Sequence, residues 1–183
     1  MLVCFSLLLG WGYTVYGQIY INEWMASNAT SLPDPQGEFD DWIEIYNAGP
    51  NPVDLGGYFI TDNKFQPALW KIPEGYPAQT TVPAGGHLIL WADEDIAFGP
   101  THLNFKLSAG GEWLGLFAPN GFTLLDSLSF GPQTTDVSFG RSSDGAATLQ
   151  SFALPSPGFP NAGAAASPVY QAYILRRVPS GND

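Results

Sequence analysis

Three acidic residues lie close together where a long polar segment, residues 25–40, enters an apolar one. They are Glu38, Asp40 and Asp41. Residues 1–63, in which they lie, contain eight acidic residues and no Lys or Arg. Carboxylate oxygens on a flexible loop are the ligands that Ca²⁺ prefers. A solvated acidic loop gives the same pattern. We therefore expect no resident cofactor, with a calcium site at these three residues as the alternative.

Glu44 is the second residue whose position could serve chemistry. It alternates with Ile43 and Ile45, so a core behind the two isoleucines should leave Glu44 near the surface. Paired with Glu23 or Asp41, it could form a two-carboxylate acid–base site. No sequence feature fixes the separation of such a pair, and we do not expect one.

The two histidines, His87 and His102, do not complete a recognisable catalytic or metal motif. They are too few for a three-histidine zinc site, and a mixed site would need distant carboxylates to converge on them. The GxSxG, HExxH and phosphate-loop motifs are missing from the sequence. We therefore predict that the chain is not an enzyme.

Aromatic residues could instead serve binding, because tryptophan rings on a β-sheet can stack on sugars. Trp70 and Trp91 lie within strand-like segments and are expected in the core. Trp24 and Trp42 lie at the edges of strands beside the acidic segment. If a glycan platform exists, the sequence predicts it at Trp24 and Trp42.

The charge balance restricts the partners. Six Lys and Arg against 17 Asp and Glu give a formal net charge of −11. Phosphate contacts need clustered basic side chains, so we expect no nucleic-acid binding and no docking on anionic lipid. An unidentified protein or glycan is the expected partner.

The first 17 residues are uncharged and largely apolar, and they end in Val15-Tyr16-Gly17, which fits a signal-peptidase site. No Lys or Arg precedes the apolar run, so an uncleaved anchor is the alternative. We predict a signal peptide over 1–17, a secreted or cell-surface protein, and no membrane insertion after cleavage. Cys4 lies in this segment, so the mature chain would have no disulfide, a habit more typical of bacterial exported proteins.

The rest of the chain reads as short apolar or alternating runs separated by Gly, Pro and Asn turns. No segment keeps an apolar period of 3.6 residues, so long helices are not expected. This rhythm predicts an all-β domain over 18–162, either a two-sheet sandwich or a barrel, with a linker and C-terminal extension over 163–183. The predicted strands are 18–24, 41–47, 58–61, 68–72, 87–92, 112–117 and 122–130, with weaker candidates at 80–82, 102–107, 136–141 and 148–152.

Ordered motifs run through almost the whole of this region. They are Ile21-Asn22-Glu23, 41–47, 53–58, Ile60-Thr61-Asp62, 70–73, 82–86, 88–92, His102, Asn104-Phe105, Leu107-Ser108, Gly111-Glu112, Asp126-Ser127, Phe139-Gly140-Arg141, Ser156-Pro157-Gly158 and Asn161. In order and spacing they resemble the lamin tail domain in its bacterial secreted form. The resemblance implies an immunoglobulin-like β-sandwich. It defines no activity, and the acidic surface argues against carrying over chromatin binding.

Two functions are compatible with this resemblance. The first is a non-catalytic exported module that makes protein or glycan contacts at the cell surface or outside the cell. The second is an accessory domain of a secreted hydrolase, of nuclease or phosphatase type, whose catalytic part lies outside this chain. We expect the first.

Overall fold

The computed structural model describes residues 18–161. The expected signal peptide (1–17) and C-terminal extension (163–183) lie outside the described residues. Within them, short strands dominate, and the helical elements are one turn of α-helix, α1 (Pro77–Thr80), and a 3₁₀ turn at Ile96–Phe98. The strands are β1 (Ile19–Met25), β2 (Asp41–Asn47), β3 (Val53–Asp54), β4 (Phe59–Thr61), β5 (Trp70–Lys71), β6 (Thr81–Val82), β7 (His87–Ala92), β8 (Trp113–Phe117), β9 (Leu124–Ser129), β10 (Ser138–Arg141) and β11 (Leu149–Phe152).

The strands form two main antiparallel sheets and one small one. The first main sheet has five strands in the order β11-β10-β1-β2-β7, and the second has four in the order β5-β4-β8-β9. Strands β3 and β6 make the two-stranded sheet. Apolar side chains from the facing sides of both main sheets share one buried core, which includes Ile45, Ile60 and Leu116. The predicted all-β, immunoglobulin-like β-sandwich is therefore confirmed.

A β-bulge in β1 decides which side chains enter that core. Ile21 pairs with Ile45, but the next registered pair is Glu23 with Glu44, so the alternation of β1 slips at this point. After the slip Trp24 faces the core, where its ring centroid lies 5.4 Å from that of Phe130. Glu23 faces the opposite side of the sheet, which we call the outer face.

Two chain segments cover the outer face. The 26–40 loop lies over a second apolar cluster formed by Met25, Trp42 and Trp91, with Leu32 packed against it. Residues 153–161, which we call the C-terminal segment, lie over Glu23 of β1 and Glu44 of β2 and hydrogen-bond to both. Several outward-facing side chains of this sheet, among them Glu23, Trp42 and Glu44, are therefore buried.

One predicted strand is wrong. Residues 102–107 make only isolated bridges, between Trp91 and His102 and between Asp93 and Lys106. Backbone bonds of 2.8 Å from Trp91 N to Thr101 O and from Leu103 N to Trp91 O hold this segment beside β7. Among residues 18–161, no helix is long and apolar enough to cross a membrane.

Candidate functional site: the outer face of the five-stranded sheet

The structure contradicts the surface positions expected for Glu44, Trp24 and Trp42. Glu44 points away from Ile43 and Ile45 as predicted, yet it is fully buried because the C-terminal segment covers it. Trp24 and Trp42 are also fully buried, the first by the bulge and the second by the 26–40 loop. The glycan platform predicted at Trp24 and Trp42 is therefore wrong, because a ring without exposed area cannot stack on a sugar.

The buried glutamates belong to a set that we call the glutamate network: Asn22, Glu23, Glu44, His87, Asp144 and Asn161. Glu23 accepts bonds from the hydroxyl of Ser138 (2.5 Å), from the hydroxyl of Ser156 (2.7 Å) and from the backbone N–H of Ser156 (3.0 Å). Each of its oxygens therefore has at least one donor. These bonds connect β1 both to β10 and to the segment that follows β11.

Glu44 and Asp144 are satisfied in the same way. Glu44 accepts from Asn22 Nδ2 (3.0 Å) and from the backbone N–H of Gly158 (2.6 Å). Asp144 Oδ1 accepts from Asn22 Nδ2 (3.0 Å) and from the backbone N–H of Asn161 (2.8 Å). His87 Nε2 lies 3.3 Å from Asp144 Oδ2 and 4.0 Å from Glu44 Oε1.

The electrostatics of the network follow from its burial. Burial raises the pKa of Glu23, against the bonds from Ser138 and Ser156, which lower it. Burial and then the charge of Glu23 raise the pKa of Glu44 well above its usual range. Burial also raises the pKa of Asp144, but bonds from His87, Asn161 and Asn22 outweigh it and leave this pKa lowered. The network resembles an acid–base site in composition, but its two glutamates are closed to solvent and all three carboxylates serve as hydrogen-bond acceptors.

A second buried group lies at the far end of β2 and β7. We call it the aspartate cluster: Asp34, Asp40, Asp93 and His102. Asp34, Asp93 and His102 are buried, and one potential ligand atom from each lies within 4.8 Å of the other two. His102 Nδ1 contacts Asp93 Oδ2 directly. Burial, followed by the charges of Asp93, Asp34 and Glu38, raises the pKa of Asp40, so these carboxylates repel one another.

The structure places the three residues that the sequence offered as alternative calcium ligands in three different environments. Glu38 is exposed, and Asp40 lies in the aspartate cluster. Burial raises the pKa of Asp41 to about 6, against hydrogen bonds from the backbone of Asn28 and Leu107. Sequence reasoning missed Asp93, although it follows directly after a predicted strand, and did not connect Asp34 with His102. No local spacing links these residues, because the fold alone brings them together.

A groove of about 640 Å³ lies between the two covering segments. Residues 32–35 form one side, Ile89 and Trp91 of β7 form the floor, and residues 157–159 form the other side. Its lining is mostly apolar, with three prolines and one aromatic ring from the covering segments. Asp34 lines the groove as well, so the aspartate cluster borders it.

Comparison with known proteins agrees with this architecture. The family model of the Lamin Tail Domain matches residues 14–132. No match to the chain is found among curated proteins or among solved structures. The network residues Asp144 and Asn161 lie after the matched range, while Asn22, Glu23, Glu44 and His87 lie within it. The chain belongs to the Lamin Tail Domain family.

Proposed function

We propose that the chain is the non-catalytic binding domain of an exported protein and that it contacts another protein through the outer-face groove. The observation that carries this proposal is that every carboxylate oxygen of Glu23 and Glu44 accepts a hydrogen bond from within the fold. These glutamates are the most active-site-like group among residues 18–161, yet both are fully buried and bonded to the segment that closes the sheet. They hold the fold together and have no open side for a substrate.

The groove favours a protein partner over a glycan. Its walls present Pro33, Pro35 and Phe159, and its floor presents Ile89. Such a lining suits apolar side chains or proline rings of an extended peptide segment. Sugar recognition relies on exposed aromatic faces, but Trp91, the tryptophan in this groove, is only 6% exposed.

A peptide-display screen against the full chain tests this proposal. We expect enrichment of apolar or proline-containing sequences whose binding is lost in Phe159→Ser, a change in the groove wall. The matched control is Phe122→Ser, because Phe122 is 75% exposed and lies between β8 and β9 on the other sheet. Thermal unfolding should show that both variants remain folded. Absence of enrichment, equal binding by the two variants, or glycans that compete at the groove would contradict the proposal.

Export is tested separately by intact-mass analysis of the protein released from cells. The apolar run that ends at Val15-Tyr16-Gly17 motivates the expectation of a mature chain that starts at Gln18. Retention of Met1 in soluble released protein would show that the segment is not a cleaved signal.

A further inference from the structure

The aspartate cluster contains buried oxygens that nothing in the described chain satisfies. Asp34 is 6% exposed, and its Oδ1 accepts the backbone N–H groups of Gln36 (2.9 Å) and Glu38 (2.8 Å). Its Oδ2 is buried and has no hydrogen-bond partner among residues 18–161. Asp40 Oδ2 is in the same condition. A buried carboxylate oxygen without a donor is costly, so an unfilled acceptor at this depth indicates a missing positive partner.

The protein supplies little positive charge there. Lys106 acts on the pKa of Asp40 as a positive charge, but its effect is smaller than those of Asp93, Asp34 and Glu38, which act with the opposite sign. His102 is held by Asp93 and also packs edge-on against Phe98, with ring centroids 5.7 Å apart. The imidazole is therefore fixed in orientation beside the carboxylates, as metal-binding histidines are.

We propose that Asp34, Asp93 and His102 bind one divalent transition-metal cation of the Zn²⁺ class, with the neighbouring charge of Asp40 strengthening the site. Potential ligand atoms of the three residues already lie within 4.8 Å of one another, and Asp34 has an oxygen with no other partner. This site differs from the calcium site considered from the sequence, because it uses residues from three separate segments.

The donor set decides the class of cation. Ca²⁺ and Mg²⁺ take oxygen ligands, while an imidazole nitrogen beside carboxylates suits Zn²⁺ and its transition-metal neighbours. Asp34 borders the groove, so the cation has a route from solvent. A bound cation would tie the 26–40 loop to β7 and to the 101–103 segment. The site does not depend on the proposed protein-binding function, and either can fail alone.

The experiment uses the full chain, freed of metal with EDTA and then titrated with Zn²⁺ alone, by calorimetry and thermal unfolding. We expect one Zn²⁺ per chain and a rise in Tm of several degrees at a hundredfold excess over Kd. Ca²⁺ and Mg²⁺ at matched ionic strength should shift Tm far less. Nitrogen chemical shifts of the His102 ring should change on Zn²⁺ addition, which ties binding to this residue.

Variants separate the site from adventitious binding elsewhere. Asp34→Asn keeps the acceptor for the two backbone N–H groups, and His102→Gln keeps a donor for Asp93, so both should fold in EDTA. Each should weaken Zn²⁺ binding at least tenfold. Their matched controls, Asp62→Asn and His87→Gln, should not. Absence of Zn²⁺ binding, unchanged affinity in Asp34→Asn and His102→Gln, or stabilisation by Ca²⁺ but not Zn²⁺ would each overturn the proposal.

Discussion

The glutamate network and the aspartate cluster each combine three carboxylates with one histidine. Residues 156–161 close the first, whereas the 26–40 loop supplies Asp34 and Asp40 to the second. The two groups differ in what the carboxylate oxygens meet. Glu23, Glu44 and Asp144 face N–H and O–H donors or the His87 ring. In the aspartate cluster, Asp34 Oδ2 and Asp40 Oδ2 have no donor among the described residues.

This difference separates structural from binding roles more sharply than composition does. Each buried hydrogen bond to a charged group adds net stability, and the loss of one partner leaves the other group unsatisfied. The glutamate network has used its acceptors to hold the C-terminal segment on the sheet. The aspartate cluster keeps acceptors available, so it can gain stability from an external cation. Amide and alanine substitutions in the two groups should therefore have effects of different size and sign.

The largest effect is expected from Glu23→Ala. The change removes the acceptor for Ser138 and Ser156 in a fully buried position, so several donors lose their partner at once. We expect the free energy of unfolding to fall by about 3 kcal/mol or more in urea denaturation. In the matched control, Glu74→Ala, the carboxylate removed is exposed and pairs with Lys71 at the surface. That control should change stability by less than about 1 kcal/mol, and a similar loss in both variants would show that the network is not structural.

Glu44→Gln should have an intermediate effect that depends on pH. Both oxygens of Glu44 accept N–H groups, from Asn22 and Gly158, and a Gln side chain must turn its own NH₂ toward one of them. One hydrogen bond is lost and two donors face each other, at a cost of about 1–3 kcal/mol.

The pH dependence of that variant follows from the raised pKa of Glu44. The folded protein holds the Glu44 proton more tightly than the unfolded chain does, so this contribution to stability is full below the ordinary pKa of 4.5. It is lost as pH rises through the raised pKa. Gln does not titrate, so the stability deficit of Glu44→Gln should be largest near pH 4.5 and smaller at pH 8. A deficit that grows with pH would contradict the raised pKa.

The sequence predicts the outward direction of Glu44 but not its burial. Alternation in 41–47 places Ile43 and Ile45 toward the core, and their burial in the main apolar core confirms it. The covering segments have no such periodicity, since they are held by hydrogen bonds between residues far apart in the chain. The bulge of β1 has the same consequence for Trp24, because one extra residue moves that side chain to the opposite face.

The candidate cation site was even harder to predict from the sequence than the burial of Glu44. His102 and the acidic 26–40 loop are visible in the sequence as separate features. Their meeting depends on two pairings. Trp91 with His102 holds His102 beside the end of β7, and Asp41 with Ala92 brings the end of the 26–40 loop to the same place. These contacts, and not a motif, form the site. Local spacing therefore offered Glu38, Asp40 and Asp41 as candidate ligands, of which only Asp40 lies in the aspartate cluster, and it omitted Asp34 and Asp93.

The smallest expected effect comes from Asp40→Asn. What it tests is whether the free energy of unfolding rises or falls. In EDTA the variant removes a negative charge that Asp93, Asp34 and Glu38 repel, so the free energy of unfolding should rise by a few tenths of a kcal/mol. With saturating Zn²⁺ the gain should disappear or reverse, because the same charge then attracts the cation. The matched control, Glu74→Gln, loses a surface ion pair and should be neutral or slightly destabilised in both conditions. Destabilisation by Asp40→Asn in EDTA, as by Glu44→Gln in the glutamate network, would show that the aspartate cluster is already satisfied within the chain.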